Sequence, residues 1–231
     1  MSKEKGLSQL FTPYLVRCLG SNVESWKVTK EGDIEIKVRG KPFDTLQSRT
    51  RLIGFFGSEH EFTLIAHVPV VPENRMNDRY RKLYRELKLM ECEAEWKGVF
   101  RRKYFFKPFR GLKIIFSKYP SLSFDPTIKD SLESDESFNS LLQKTKPDGL
   151  WITLHSGYSK IIGFFEDVEE TILDYFDYPE EIKWLIGASQ VVETSHPTKE
   201  VVLDLYSILD FLSRKVVEIT MEVEKRLFSN M

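Results

Sequence analysis

The sequence predicts an α+β protein: a mainly antiparallel, aromatic-rich sheet with covering helices and a long C-terminal helix. Three observations predict it. Runs rich in β-branched and aromatic residues alternate with Gly, Asp and Ser turn clusters in the first part of the chain. From Asn77 the apolar period changes to that of a helix. The chain then closes on a sustained helical stripe, with Val201, Leu205, Ile208, Leu212, Val216, Ile219, Val223 and Leu227 recurring every three or four positions.

Taken in order, residues 7–19 form a weakly signalled helix. Residues 26–40, WKVTKEGDIEIKVRG, read as a hairpin turning at Glu31-Gly32-Asp33. Residues 49–71 repeat that form, with the turn near Gly57-Ser58. Tyr80, Leu83, Tyr84, Leu87 and Met90 then fall at helical spacing, with Asn77 or Asp78 as N-cap. Residues 120–137 are polar and rich in Ser, Asp and Pro, and read as a connecting segment. A short helix at 138–144 leads to a hairpin-like stretch at 149–165. Helices are expected at 167–176, 179–192 and 197–228.

Between the helix ending near Met90 and the connecting segment lies RRKYFFKPFRGLKIIFSKYP, residues 101–120. It holds seven Lys/Arg and six aromatic residues, and no acid. Lys107-Pro108-Phe109-Arg110-Gly111 has turn chemistry, because proline presets the second position of a type I turn and glycine suits the last. The expectation is a hairpin over 101–113. Alternation puts Phe100, Tyr104, Phe106, Leu112, Ile114 and Phe116 on an apolar face interrupted by Arg102. The other face carries Arg101, Lys103, Phe105, Lys107, Lys113 and Ile115.

Residues 45–56, TLQSRTRLIGFF, and 153–165, TLHSGYSKIIGFF, share their ends if one residue is gapped. Either a strand-turn-strand unit is duplicated, or common strand residues coincide.

The chain of 231 residues can bury a sizeable core. Its net charge of -1 conceals an asymmetry: residues 1–119 carry 24 Lys/Arg against 14 Asp/Glu, and residues 120–231 carry 10 against 21. The division is therefore into a basic, strand-rich part (1–119), the connecting segment (120–137) and an acidic, mainly helical part (138–231), which together can form one compact domain. Cys18 and Cys92 stand far apart, which argues against a disulfide framework and for a reducing compartment. No secretory leader and no long apolar run is evident, so a cytoplasmic protein without a membrane partner is expected.

Function follows from the basic segment. Cations that track a phosphate backbone, interleaved with rings that stack on bases, form single-stranded nucleic-acid surfaces. The expected surface joins Arg81, Arg85 and Lys88, at i, i+4 and i+7 on the first long helix, to Arg101, Lys103, Phe105, Lys107 and Lys113. The first reading is thus a non-catalytic binding protein, nucleic-acid-associated or regulatory. The second is a protein-interaction or oligomerisation module whose self-complementary charged halves pair within or between subunits. Separately, the stripe of residues 198–227 either packs on the protein's own sheet or joins two copies as a homodimer. The third is a metal-dependent enzyme using Glu166, Asp167, Glu169, Glu170 and Asp174, with His155 near in sequence. Acids at a helix start are also explained by the helix dipole. His60 and His67 are expected on opposite faces of one strand, and no zinc, Walker, GxGxxG or hydrolase motif occurs. No cofactor or metal is assigned.

Overall fold

A computed structural model describes residues 15–17, 19–30, 33–53, 59–71, 78–97, 103–155, 181–193 and 197–229. The strands are β1 (Val23–Val28), β2 (Ile34–Val38), β3 (Thr45–Ile53), β4 (Glu59–Val71), β5 (Cys92–Lys97), β6 (Lys103–Pro108), β7 (Gly149–His155) and β8 (Ile182–Val192). The helices are α1 (Asp78–Lys88), α2 (Arg110–Lys118), α3 (Thr127–Glu133), α4 (Glu136–Thr145) and α5 (Lys199–Phe228). All eight strands join one sheet, ordered β1-β2-β3-β4-β8-β7-β5-β6, and every pairing is antiparallel. The α+β architecture expected from the sequence is the one observed.

One sheet face meets the helices. Ile36, Leu46, Ala66 and Ile186 stand in a single cross-strand row on that face, and all have no exposed surface. The α5 helix lies over β4 and β8 at the middle of the sheet. Its stripe from Leu205 to Val223 is buried in the same core, and Trp184 Nε1 donates to Thr220 Oγ1 at 2.9 Å. Glu200, Ser207, Arg214, Glu218, Glu222 and Lys225 face water, so the amphipathic pattern is used within the chain.

Three segments differ from expectation. Residues 182–192 form a strand rather than a helix. Ile182, Leu185, Ile186 and Ser189 satisfy helical spacing, yet Ile182, Trp184, Ile186 and Ala188 satisfy alternation equally. The place between β4 and β7 decides the matter, because both neighbours offer the segment an antiparallel ladder and its alternate row Ile182, Trp184, Ile186 and Ala188 fills the core. Residues 110–118 form α2 rather than the second strand of a hairpin. The partner of β6 is β5, with Glu93 opposite Lys107, Glu95 opposite Phe105 and Trp96 opposite Tyr104. Leu112 and Ile115 are buried at a spacing of three, which places Ile115 away from the expected basic face. The segment 120–137 is not a plain connection: it holds α3, whose Ile128 and Leu132 are fully buried, and the start of α4.

The hairpins expected at 26–40 and 49–71 form over 23–38 and 45–71, each starting three or four residues earlier; their turn residues 31–32 and 54–58 lie outside the described residues. So do most of the helix at 7–19, the helix at 167–176 and the second part of 149–165. The repeated segments occupy equivalent places where they are described. Thr45 pairs with His67, His67 with Leu185, and Leu185 with Thr153. The register of β3–β4 and of β7–β8 is therefore symmetric about the His67–Leu185 pair.

Candidate nucleic-acid interface

The expected surface begins on β6, which Pro108 ends by removing a ladder donor. Alternation turns Tyr104 and Phe106 into the core and Lys103 and Phe105 out of it. The strand is held firmly. Tyr104 Oη donates to the Pro147 carbonyl at 3.1 Å, and the Phe106 ring lies 6.1 Å from Phe138, which stacks on Phe211 at 5.0 Å. The Phe106 N–H donates to Glu133 Oε1 at 2.8 Å, so α3 closes this edge of the sheet.

On the outward side, Phe105 is 39% exposed and the Lys103 Nζ stands 5.3 Å from its ring centre, within cation–π range. The neighbouring cations are not bare. Lys107 Nζ lies 3.6 Å from Glu93 Oε1 and 3.5 Å from Glu95 Oε2, and Arg110 Nε lies 3.3 Å from Glu93 Oε2. Lys113 is exposed on α2. Arg101 lies outside the described residues. Sequence reasoning missed Glu93 and Glu95, though the alternation of Cys92, Glu93, Ala94 and Glu95 signalled a strand able to carry them.

The α1 cations are placed differently. Arg81 and Arg85 are exposed, but α1 belongs to the helical layer, with Leu83, Tyr84 and Leu87 in the core. Lys103, Phe105 and Lys107 leave the sheet from its other face, so the two groups do not form one continuous strip. Lys88 is not a surface residue at all. Its side chain is buried, with Nζ 2.8 Å from Glu91 Oε1 and 6.0 Å from the centre of the Tyr84 ring. The same Glu91 oxygen accepts the Leu154 N–H at 2.6 Å, which ties the end of α1 to β7. Helical spacing put Lys88 in line with Arg81 and Arg85, but the last turn of α1 runs into the core.

This buried pair shapes its surroundings. Burial, and then the charge of Glu91, hold the Tyr84 hydroxyl and the Cys92 thiol well above their ordinary pKa values. Cys92 is therefore a thiol, not a thiolate, at neutral pH, and has no nucleophilic character. His60 and His67 stand on opposite faces of β4, as expected, since His60 pairs with Leu52 and His67 with Thr45. Glu166–Asp174 lie outside the described residues; among the described residues no group of three His, Cys, Asp or Glu could hold a metal ion. A groove of about 490 Å³ between α4 and α5 is lined by Asp135, Tyr206, Asp210 and Arg214. Asp210 there is already paired with Arg214 and, at 3.8 Å, with Lys41. Among the described residues no helix is long and apolar enough to cross a membrane.

No protein family, no curated protein and no solved structure matches this chain.

Proposed function

We propose that the protein is a non-catalytic binding protein that takes up an anionic polymer, single-stranded nucleic acid, on the outward strip of β6. The observation that carries this reading is the Lys103–Phe105 pair: an exposed ring with an ammonium over it, held on a strand whose other side is locked into the core. Such a pair offers a base a stacking surface and a phosphate a counter-charge in the same place. Lys107, Arg110 and Lys113 continue the strip, the first two at reduced effective charge because Glu93 and Glu95 face them.

Fluorescence anisotropy with labelled single-stranded oligonucleotides, across a salt series, tests the proposal. Binding is expected to weaken with salt, at about 0.7 log units per neutralised phosphate. Phe105→Ala removes a stacking contact of about 1–3 kcal/mol. Lys103→Glu abolishes binding and flattens the salt slope. Full binding by the Lys103→Glu/Phe105→Ala double variant ends this reading.

One observation favours a second reading, a protein partner of mixed charge. Glu93 and Glu95 interleave with the cations, and such a strip suits another charged protein surface better than a uniformly anionic chain. In that case Glu93→Lys weakens partner binding, whereas for nucleic acid it strengthens it.

A further inference from the structure

The two edges of the sheet are treated differently. At β6, α3 lies along the strand and Glu133 takes an edge N–H. At β1 no described strand lies beyond, and residues 24–27 are exposed. The register shows which backbone groups face outward there. Thr29 N–H donates to the Asp33 carbonyl at 2.8 Å, in line with the ladder that pairs Lys27 with Glu35 and Ser25 with Lys37. Bonded pairs alternate in an antiparallel ladder, so Trp26 and Val28 turn their N–H and C=O groups away from β2. Trp26 is 52% exposed, although its cross-strand neighbour Ile36 is fully buried. An outward-facing backbone with a half-exposed indole at its centre is a strand acceptor.

We infer that β1 pairs antiparallel with β1 of a second copy of this chain, on a two-fold axis through Trp26, joining two sheets into one. Three features select this occupant and this register. Trp26 carries outward N–H and C=O groups, so Trp26 and its counterpart exchange both hydrogen bonds and bring their indoles together. Lys27 then falls opposite Ser25 of the other copy, and like charges stay apart; an axis through Lys27 would set two ammonium groups face to face. The irregularity between Val23 and Ser25 lies at the end of the paired segment; an axis through Ser25 would draw it inward. Lys27 is already satisfied by Glu35 at 3.3 Å, and Glu24 pairs with Arg39, so the edge presents little net charge to its copy.

Sedimentation equilibrium of the full chain from micromolar to millimolar concentration tests this. The wild-type protein is expected to dimerise. Trp26→Glu sets two carboxylates across the axis and weakens the dimer by at least roughly tenfold, about 1.4 kcal/mol. Ser25→Asp puts a carboxylate opposite the partner copy's Lys27 ammonium and tightens it. Hydrogen exchange at the Trp26 amide slows as the dimer forms. A monomer at every concentration, or a dimer indifferent to both substitutions, overturns the inference. Should Trp26→Glu fail to fold, as judged by circular dichroism, the Ser25→Asp shift and the Trp26 amide decide alone. The result leaves the β6 reading untouched, because β1 and β6 are the opposite ends of the sheet.

Discussion

Glu91 has no surface in water and serves both the Lys88 ammonium and the Leu154 N–H. Glu91→Ala therefore removes the carboxylate from a buried ammonium and a buried N–H at once, at a cost of about 3–5 kcal/mol read by urea unfolding. Replacing both charges, as in Lys88→Met/Glu91→Leu, is expected to recover most of that loss, since the pair also carries a desolvation cost. Little of this was legible beforehand. Arg81, Arg85 and Lys88 look alike in the sequence, and the difference between them is the depth to which the end of α1 enters the core. The acid three residues after Lys88 was the available hint, because a buried lysine requires a partner close by. Asp135 is a second residue with a defined task. It caps α4 by accepting from the Ser137 hydroxyl and N–H and from the Phe138 N–H, and these bonds hold its carboxyl below the ordinary value. The stability it contributes is complete above the unfolded-state carboxylate pKa, about 3.9, and is lost as pH falls through the lower folded value. Asp135→Ala is thus expected to cost about 1 kcal/mol at neutral pH, and the gap to wild type closes in acid.

At the scale of elements, β8 shows why a strand can read as a helix. Its residues fit both periods: the row Ile182, Trp184, Ile186 and Ala188 is fully buried, whereas Lys183, Leu185 and Val191 on the other face stay partly in water. Gly187 is the residue that could have separated the two readings, since glycine is a poor helix former and marks close approach in a sheet. The approach is that of the Trp151 indole: a Cβ on Gly187 would stand 2.0 Å from Trp151 Cζ2. Gly187→Ala is expected to destabilise the protein by about 1–3 kcal/mol, as overpacking does. Trp151→Leu in the same chain should relieve part of that cost, and a double-mutant cycle measures the coupling. The α2 helix teaches a related lesson. Its apolar residues fit alternation and helical spacing alike, and Pro108 fits the end of a strand as well as a turn. In the fold β6 pairs with β5 on one side and is closed by α3 on the other, where the Phe106 N–H donates to Glu133, so neither side is left for a strand at 110–118.

At the scale of the whole molecule, the central ladder joins β4 to β8, drawn from before and after the 120–137 segment. Residues 1–119 alone would leave β4 unpaired on one side and its inner face without α5. This fragment is expected to lack a cooperative thermal transition by circular dichroism, whereas the full chain has one. Ion pairs between the basic and acidic parts are sparse and long among those described, Lys41–Asp210 and Arg226–Glu86 both at 3.8 Å, so apolar burial rather than charge joins them. The sequence by itself determined the class of fold, the hairpins leading into β2 and β4, the buried stripe of α5 and the outward turn of Lys103 and Phe105, because these follow from local period and turn chemistry. Only the tertiary structure decided that β8 is a strand, that Lys88 is internal, and that Lys107 of β6 faces the acids of β5. Each of those depends on what lies beside a segment in space, and pairing partners distant in the chain leave no local period to read.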